Sequence, residues 1–237
     1  MAQRINALTL GLICVAAAGL FGSAAAATPS KVKVLGEARP AEAGCPADCL
    51  VEARVTGFQA SIDGRKKPFS VPGNGRIVAW SIKLGRPGKA DVKYFNKTFG
   101  AAKAGISILK PVRLKNGKRK LRLVKQGPTV RLAPFFGNVA TFSLPKPLRV
   151  KKRHIVALTI PTWSPSFALG ARKSSGWRAS RVATESRGEC SLDGGLANVD
   201  AGAPHVKRRT QRSYGCRYRS SRLLYSARFV AGAKGAK

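Results

Sequence analysis

The stretch RIVAWSIKL, residues 76–84, carries the pattern that decides the fold class. Val78, Trp80, Ile82 and Leu84 form one alternating set, and Ile77, Ala79, Ser81 and Lys83 form the other. Successive side chains of a β-strand point to opposite faces of the sheet, so a period of two predicts a strand. Because its neighbours in the set are apolar, Trp80 is expected to lie in the core.

Runs with the same period occur along most of the chain and are separated by turn signals. HIVALTI (154–160) and RLLYSARFV (222–230) alternate in this way, and GISILK, KLRLVK, TVRLA and VATFSL are shorter examples. Glycine, proline and asparagine stand between the runs, as at residues 72–75 and 137–138. No stretch combines a helical apolar stripe with caps. The sequence therefore predicts an all-β fold, an antiparallel, jelly-roll-like β-sandwich.

Residues 1–27 have the layout of a secretory signal peptide. Arg4 precedes an apolar run from about Ala7 to Phe21, and small residues continue to Ala27, where cleavage is expected. The run is shorter than a membrane span needs, and a retained anchor is the alternative. We therefore expect a secreted protein, extracellular or associated with the cell wall, with no transmembrane span after cleavage.

The rest of the chain is expected to divide into three parts. Residues 28–44 are predicted to be a flexible N-terminal segment, 45–231 a single β-sandwich domain, and 232–237 a basic flexible tail. After about Trp163, frequent glycine and proline indicate a long irregular excursion before the last strand.

Four cysteines remain once the signal is removed: Cys45, Cys49, Cys190 and Cys216. An even number in an exported chain predicts two disulfides, and three pairings are possible. The local pairing, Cys45–Cys49 with Cys190–Cys216, is favoured because Pro46 already bends the first short segment. Its second bridge would staple the long loop near the C-terminus. Zinc is the alternative, but C-x3-C without a nearby histidine is a weak motif, so no metal site is predicted.

The pair Asn116-Gly117 is the clearest hairpin signal. It lies between ISILKPVRLK and KRKLRLVKQ, and it tolerates the positive φ angles of a two-residue type I′ turn. Pro111 cannot donate a hydrogen bond to a neighbouring strand, so it should mark an edge, a bulge or a strand end.

Positive charge is concentrated around this hairpin. The chain holds 44 Lys and Arg against 10 Asp and Glu, a formal net charge of +34, and residues 92–184 contain no carboxylate. The candidate polyanion-binding residues are Arg113, Lys115, Lys118, Lys120 and Arg122.

Two interpretations of this basic segment stay open. Strand alternation places Lys118, Lys120 and Arg122 on one face, and Arg119, Leu121 and Leu123 on the other. Like charges beside each other repel unless counter-ions or a ligand offset the repulsion, which favours a polyanion-binding face. The other interpretation is a solvated basic edge that prevents edge-to-edge aggregation.

Anionic envelope polymers or surfaces are the expected partners of a non-enzymatic protein. Specific nucleic-acid binding is not expected, because the sequence has no recognition module and the basic run has almost no interleaved aromatic residues. Oligomeric state and the identity of the ligand do not follow from the sequence.

Enzyme motifs are weak, and we predict no catalytic residue and no cofactor. The segments SILK (107–110) and SLPK (143–146) match S-x-x-K, but both fall in strand-like runs and lack the accompanying motifs. His154 lies in a predicted strand beside Arg153 and is expected to be an exposed or half-buried structural residue rather than a base.

The alternative function is a carbohydrate-binding or hydrolytic module. Trp163 could stack on a sugar, although a tryptophan that closes one end of the sandwich fits its position as well. Acidic residues that could serve a hydrolase occur in the late loop at Glu185, Glu189, Asp193 and Asp200.

The chain resembles a group of secreted proteins of high-GC Gram-positive bacteria that have no known activity. The shared pattern runs from V-P-x-x-G-x-I-V-A-W-S-I through a K-P strand end and P-L-x-V to L-T-x-P-T-W, over roughly residues 55–170. Here it is carried by Val71, Pro72, Gly75, Ile77, Val78, Ala79, Trp80, Ser81, Ile82, Lys110, Pro111, Pro147, Leu148, Val150, Leu158, Thr159, Pro161, Thr162 and Trp163. Arg153 departs from the pattern, since such strand entries commonly carry glycine. The resemblance implies a jelly-roll-like β-sandwich and export.

Overall fold

A computed structural model describes residues 32–36, 51–113, 119–181, 190 and 203–232. The signal peptide, Cys45, Cys49 and residues 233–237 of the tail lie outside the described residues. None of the helices in these ranges has the length and apolar character needed to cross a membrane.

Most of the described chain is β-strand, with an α-helix between the fourth and fifth strands. The strands are β1 Val32–Leu35, β2 Glu52–Ile62, β3 Arg65–Lys66, β4 Gly75–Lys83, β5 Lys103–Arg113, β6 Arg119–Gln126, β7 Val130–Arg131, β8 Val139–Val150, β9 Ile155–Ser164, β10 Phe167–Ala168, β11 Gly176–Ala179, β12 Gln211–Arg212, β13 Cys216–Arg219, β14 Arg222–Leu223 and β15 Tyr225–Ala231. The helices are α1 Lys89–Phe99 and a 3-10 turn at Ala133–Phe135.

Two antiparallel sheets share one apolar core. The larger sheet has the order β12-β6-β5-β9-β2-β11-β13, and the smaller has the order β1-β15-β4-β8. Phe69 stacks on Tyr225 at 4.1 Å between ring centroids, and the Tyr225 hydroxyl of β15 donates to the Val156 carbonyl of β9 across the core. The prediction of an all-β, antiparallel sandwich is confirmed.

The stretch quoted first forms β4, but its alternation changes phase in the middle. Trp80 and Ile82 are buried as predicted, whereas Ile77 is buried and Val78 is only half-buried. Between Ile77 and Ala79 the register with β8 jumps from Leu148 to Ser143. Opposite β15, Ile77 pairs with Phe229 and Ala79 with Arg228, so Val78 is an extra residue, a bulge that reverses the faces of the residues after it.

The first strand corrects one expectation. Residues 32–35 were expected to belong to a flexible segment, but they form β1 and pair with β15, from Val32 opposite Val230 to Leu35 opposite Ala227. Leu35 is buried in the shared core, which gives this short segment an apolar anchor.

Helix α1 is a second correction, because the sequence indicated no helix. Gly88 precedes it, and the Asp91 carboxylate accepts a hydrogen bond from the Gly88 N–H at 3.1 Å. Val92, Phe95 and Phe99 pack against the core from one side of the helix. Their spacing of three and four residues is a short helical stripe.

The outer face of the larger sheet is covered by residues 203–215. Leu109, Leu121 and Leu123 form a second apolar cluster there with Tyr214. The backbone N–H of buried His205 donates to the Thr56 hydroxyl of β2 at 2.9 Å. Part of the predicted C-terminal excursion is thus packed onto the sheet.

The Cys190–Cys216 disulfide is present, as the local pairing predicted. It joins residue 190 to the first residue of β13, and the Cys190 N–H also donates to the Arg217 carbonyl. The bridge fixes residue 190 to the edge strand of the larger sheet.

Candidate anion-binding site

The β5–β6 pair brings cations together on one face of the larger sheet. Lys110 lies opposite Arg122, and Val112 lies opposite Lys120. Directly opposed residues in an antiparallel pair have Cβ atoms about 4.5–5.5 Å apart. Lys110, Lys120 and Arg122 are therefore near neighbours, as the alternation of Lys120 and Arg122 with buried Leu121 and Leu123 predicted.

His154 extends this group across a third strand. Leu109 pairs with Ile155 in the β5–β9 register, so the next step places His154 beside Lys110. The pKa of His154 is lowered, first by partial burial and then by the charges of Lys110 and Lys151. The backbone N–H of Lys151 donates to the His154 Nδ1 at 3.2 Å, so Nδ1 is unprotonated and acts as an acceptor.

We call Lys110, Lys120, Arg122, Lys151 and His154 the basic patch. Ile108 lies two residues before Lys110 on β5 and faces the core. Residues two apart on a strand share a face, so Lys110 lies on the inner face of the larger sheet, just beyond the edge of the core. Lys110, Lys120 and Lys151 are exposed, whereas Arg122 is half-buried. The Arg122 Nε is buried without a hydrogen-bond partner in the described part of the chain.

A tight turn holds Lys151 and His154 in place. The His154 N–H donates to the Lys151 carbonyl at 3.0 Å, and the Arg153 N–H donates to the Val71 carbonyl at 2.9 Å. Arg153 has a φ of 68°, a left-handed conformation that favours glycine. This chain places arginine at a turn position whose backbone suits glycine.

The carboxylates of the described residues are engaged elsewhere. Glu52 faces Arg181, Asp63 accepts a hydrogen bond from Ser175, and Asp91 caps α1. None of the three belongs to the strands or the turn that carry the basic patch. Among the described residues, the charges of the patch therefore have no carboxylate partner.

The structure brings together only some of the predicted binding residues. Lys120 and Arg122 join the patch, whereas Arg113 pairs with Arg119 and so belongs to the opposite face of the strand. Lys115, Lys118 and the Asn116-Gly117 turn lie outside the described residues. Pro111 lies inside β5 and pairs with Leu121 of β6, but the pairing of β5 with β9 stops at Leu109, so Pro111 stands at an edge position, one of the three that the sequence allowed.

The sequence missed three members of the patch. Lys110 could have been found by continuing the hairpin alternation past Pro111. Lys151 and His154 come from a turn far along the chain, and only the β5–β9 register brings them to this place.

Trp163 does not form a sugar-stacking surface. Its side chain is fully buried, its indole N–H donates to the Asn96 Oδ1 of α1 at 3.0 Å, and its ring lies 5.0 Å from that of Phe95. The position of Trp163 fits the interpretation of a tryptophan that closes one end of the sandwich, because α1 covers this end of β9. The four acidic residues proposed with it, Glu185, Glu189, Asp193 and Asp200, lie outside the described residues.

The S-x-x-K matches lie on strands, which removes the helix-start geometry that the motif uses. Ser107 of β5 is buried, and its hydroxyl lies 2.7 Å from that of Thr159. Ser143 lies within β8. Across the described ranges, no three His, Cys, Asp or Glu side chains are grouped so as to hold a metal ion.

Comparison with known proteins adds no relative: no protein-family model, curated protein or solved structure matches this chain. The resemblance to secreted proteins of high-GC Gram-positive bacteria stays a prediction. The antiparallel sandwich, the disulfide and the basic patch are the features on which a functional proposal can be built.

Proposed function

We propose that this protein is an exported, non-enzymatic β-sandwich that binds anionic envelope polymers through the basic patch. The observation that carries the proposal is the cross-strand pair Lys110–Arg122, two like charges directly opposite each other on one sheet face. Such a pair costs stability in the free protein, and a polyanion that contacts both side chains would remove that cost.

Export is supported by two features. Residues 1–27 have the layout of a signal peptide, and the Cys190–Cys216 disulfide is typical of an oxidising compartment. An anionic polymer outside the cell would meet a mature chain of net charge +33, since Arg4 leaves with the signal peptide, and this charge speeds association at low ionic strength.

The geometry favours a polymer backbone over a single small ligand. The patch crosses β6, β5 and the turn before β9, so its charges form a row on a partly exposed surface. A row of lysine and arginine side chains contacts successive charges of a polymer, and each contact releases a counter-ion. Binding of this kind weakens steeply as salt rises.

The test compares two triple variants of the mature, disulfide-bonded protein. K110Q/K120Q/R122Q removes three charges from the patch, and K89Q/K93Q/K97Q removes three exposed charges from α1. Binding to long-chain polyphosphate is measured over a range of salt concentrations, with neutral dextran as the uncharged polymer. We expect only the patch variant to lose about tenfold or more in affinity and about one unit of salt slope per lost contact.

Equal losses in the two variants would show that only net charge matters and would overturn the patch as a site. If polyphosphate binding is unchanged in the patch variant while that variant alone scatters more light at high concentration, the cations protect against aggregation instead. Salt-independent binding to dextran would favour the carbohydrate-binding alternative.

A further inference from the structure

A buried histidine fastens residues 203–215, the covering segment, to the outer face of the larger sheet. The His205 backbone N–H donates to the Thr56 hydroxyl of β2 at 2.9 Å. The Thr56 oxygen lies 3.0 Å from the Thr159 hydroxyl of β9, which lies 2.7 Å from the Ser107 hydroxyl of β5. The histidine is thus attached to a row of buried hydroxyl groups that crosses three strands.

Both ring nitrogens of His205 have partners within the covering segment. The Nε2 lies 3.1 Å from the Thr210 carbonyl oxygen and 2.9 Å from the Thr210 hydroxyl, which itself donates to the Lys207 carbonyl. A carbonyl only accepts, so Nε2 carries the proton of the neutral imidazole and Nδ1 is an acceptor. The Tyr214 hydroxyl, 3.2 Å from Nδ1, supplies the matching donor. Neutral imidazole therefore satisfies both ring positions.

The same contacts connect the histidine to the pairing of the covering segment with β6. The Thr210 carbonyl also accepts from the Leu123 N–H at 3.1 Å, and the Arg209 N–H donates to the Leu123 carbonyl at 2.8 Å. Leu109, Leu123 and Tyr214 belong to the apolar cluster on this face of the sheet. Loss of the histidine contacts would therefore loosen the pairing with β6 and expose the cluster.

The charged groups on the elements around His205 are cations. They are Arg178 of β11, Arg212 of β12, and Lys207, Arg208 and Arg209 of the covering segment itself. Tyr214, the other titratable group, stays neutral because burial raises its pKa. Beneath the ring, β2, β9 and β5 present uncharged hydroxyls. Within the described part of the chain, no carboxylate is hydrogen-bonded to the ring.

These surroundings disfavour the protonated form of His205. Burial is the largest influence and lowers its pKa, the hydrogen bond with the Thr210 carbonyl raises it, and the charge of Arg212 lowers it again. The resulting pKa lies below the ordinary value of 6.5. An imidazole exposed to water binds a proton more tightly than one in the closed protein. The closed form is therefore favoured fully above pH 6.5, and this advantage is lost as pH falls below that value.

We propose that His205 is an acid-sensitive latch, and that protonation of its Nδ1 releases the covering segment from the larger sheet. A protonated Nδ1 is a donor and can no longer accept from the Tyr214 hydroxyl, so this contact is lost as the charge appears. The Cys190–Cys216 disulfide keeps the chain attached to β13 when the segment opens. The latch uses no residue of the basic patch, so it does not depend on the proposed function.

Amide hydrogen exchange of the mature, disulfide-bonded protein tests the latch at pH 7.5 and pH 5. Protection factors correct for the intrinsic effect of pH on exchange, and they are compared between the covering segment and β4 of the smaller sheet. In the wild type we expect protection of residues 203–215 to fall at least about fivefold at pH 5, whereas protection of β4 does not fall.

The two histidines of the chain provide a variant and its matched control. H205Q should remove the pH dependence, because glutamine can donate to the Thr210 carbonyl but does not titrate. H154Q should keep it, because His154 lies in the basic patch, away from the covering segment. The latch is overturned if H205Q loses protection at pH 5 as the wild type does, which would assign the change to another group such as Glu52. An equal loss in β4 would show global unfolding and overturn it as well.

A second measurement holds even if H205Q fails to fold. In H154Q, His205 is the only remaining histidine, so its Cε1–H resonance can be followed by nuclear magnetic resonance without ambiguity. We expect the resonance to titrate with a pKa below the ordinary value of 6.5, together with the loss of protection. Titration at the ordinary value, or protection that does not change as His205 titrates, would overturn the latch.

Discussion

At one end of the larger sheet an arginine is buried beside a carboxylate, and at the other end an arginine lies opposite another cation. Near β11 and β13, Arg181 is buried, its Nη1 lies 3.5 Å from the Glu52 Oε2, and it donates to the Tyr218 hydroxyl at 2.8 Å. Its Nη2 also donates to the Ala53 carbonyl. At the β5–β6 end, Arg122 stands beside Lys110, and the strands around them carry no carboxylate.

Desolvation explains the difference. A buried charge costs several kcal/mol unless an opposite charge and hydrogen bonds compensate it, so Arg181 needs Glu52, Tyr218 and a carbonyl. The cations of the basic patch keep contact with water, which screens them, and they need no protein partner. The buried arginine serves the fold, whereas the patch is left available for a ligand.

The largest expected effect comes from removing the buried arginine. We expect R181M to lower the free energy of unfolding by about 3–5 kcal/mol at pH 8, because it leaves the Glu52 carboxylate buried without a cation. Urea unfolding followed by tryptophan fluorescence measures it. R122M is the matched control and should cost less than about 1 kcal/mol. Similar costs for the two variants would contradict the contrast between the ends of the sheet.

A smaller change in the free energy of unfolding is expected when the pH is varied. Burial raises the pKa of Glu52 to about 7 from an ordinary value of 4.5, although Arg181 acts in the opposite direction. Between these values the folded protein binds a proton that the unfolded chain releases, so this contribution is complete below pH 4.5 and is lost as pH rises through 7.

The measurement is the free energy of unfolding of the wild type and of E52Q across this range. Relative to E52Q, the wild type should lose at most about 3 kcal/mol as pH rises. Glutamine keeps the shape of the protonated side chain and does not titrate, so it is the internal control. Parallel pH profiles for the two proteins would show that Glu52 stays ionised throughout.

The smallest expected change in the free energy of unfolding comes from removing the cations of the basic patch. We expect K110Q/K120Q/R122Q to change the free energy of unfolding by no more than about 0.5 kcal/mol, because Lys110 and Lys120 are exposed and the repulsion between Lys110 and half-buried Arg122 is relieved. The α1 variant K89Q/K93Q/K97Q provides the baseline. A loss of several kcal/mol in the patch variant alone would mean that these side chains support the fold.

Local alternation was enough to predict the fold class but not the positions of the bulges. The pattern of β4 indicated a strand around Trp80, yet Ile77 rather than Val78 is buried, because Val78 bulges opposite β15 and four residues of β8, 144–147, lie between the partners of Ile77 and Ala79. Pro145 and Pro147 lie in that stretch and cannot donate ladder hydrogen bonds. The change of register is set by neighbouring strands and cannot be predicted from the β4 sequence.

Helix α1 and the basic patch depend on contacts between segments that are distant in the sequence. The apolar residues of α1 make a stripe of only three, between Gly88 and Gly100, which is easily taken for irregular chain. Trp163 is buried beneath α1 through a tertiary contact, and the spacing of residues in the sequence does not predict such a contact. Lys110, Lys120 and Arg122 can be found from the hairpin alternation, whereas Lys151 and His154 required the β5–β9 register.

The pairing of the first described strand with the last has a consequence for the order of folding. β15 lies between β1 and β4, so residues 225–231 supply an inner strand of the smaller sheet. That sheet cannot assemble until nearly the whole chain has been synthesised, and its contacts join residues almost 200 positions apart. Non-local pairing of this kind slows folding, and the export proposed above requires a chain that is not yet compact.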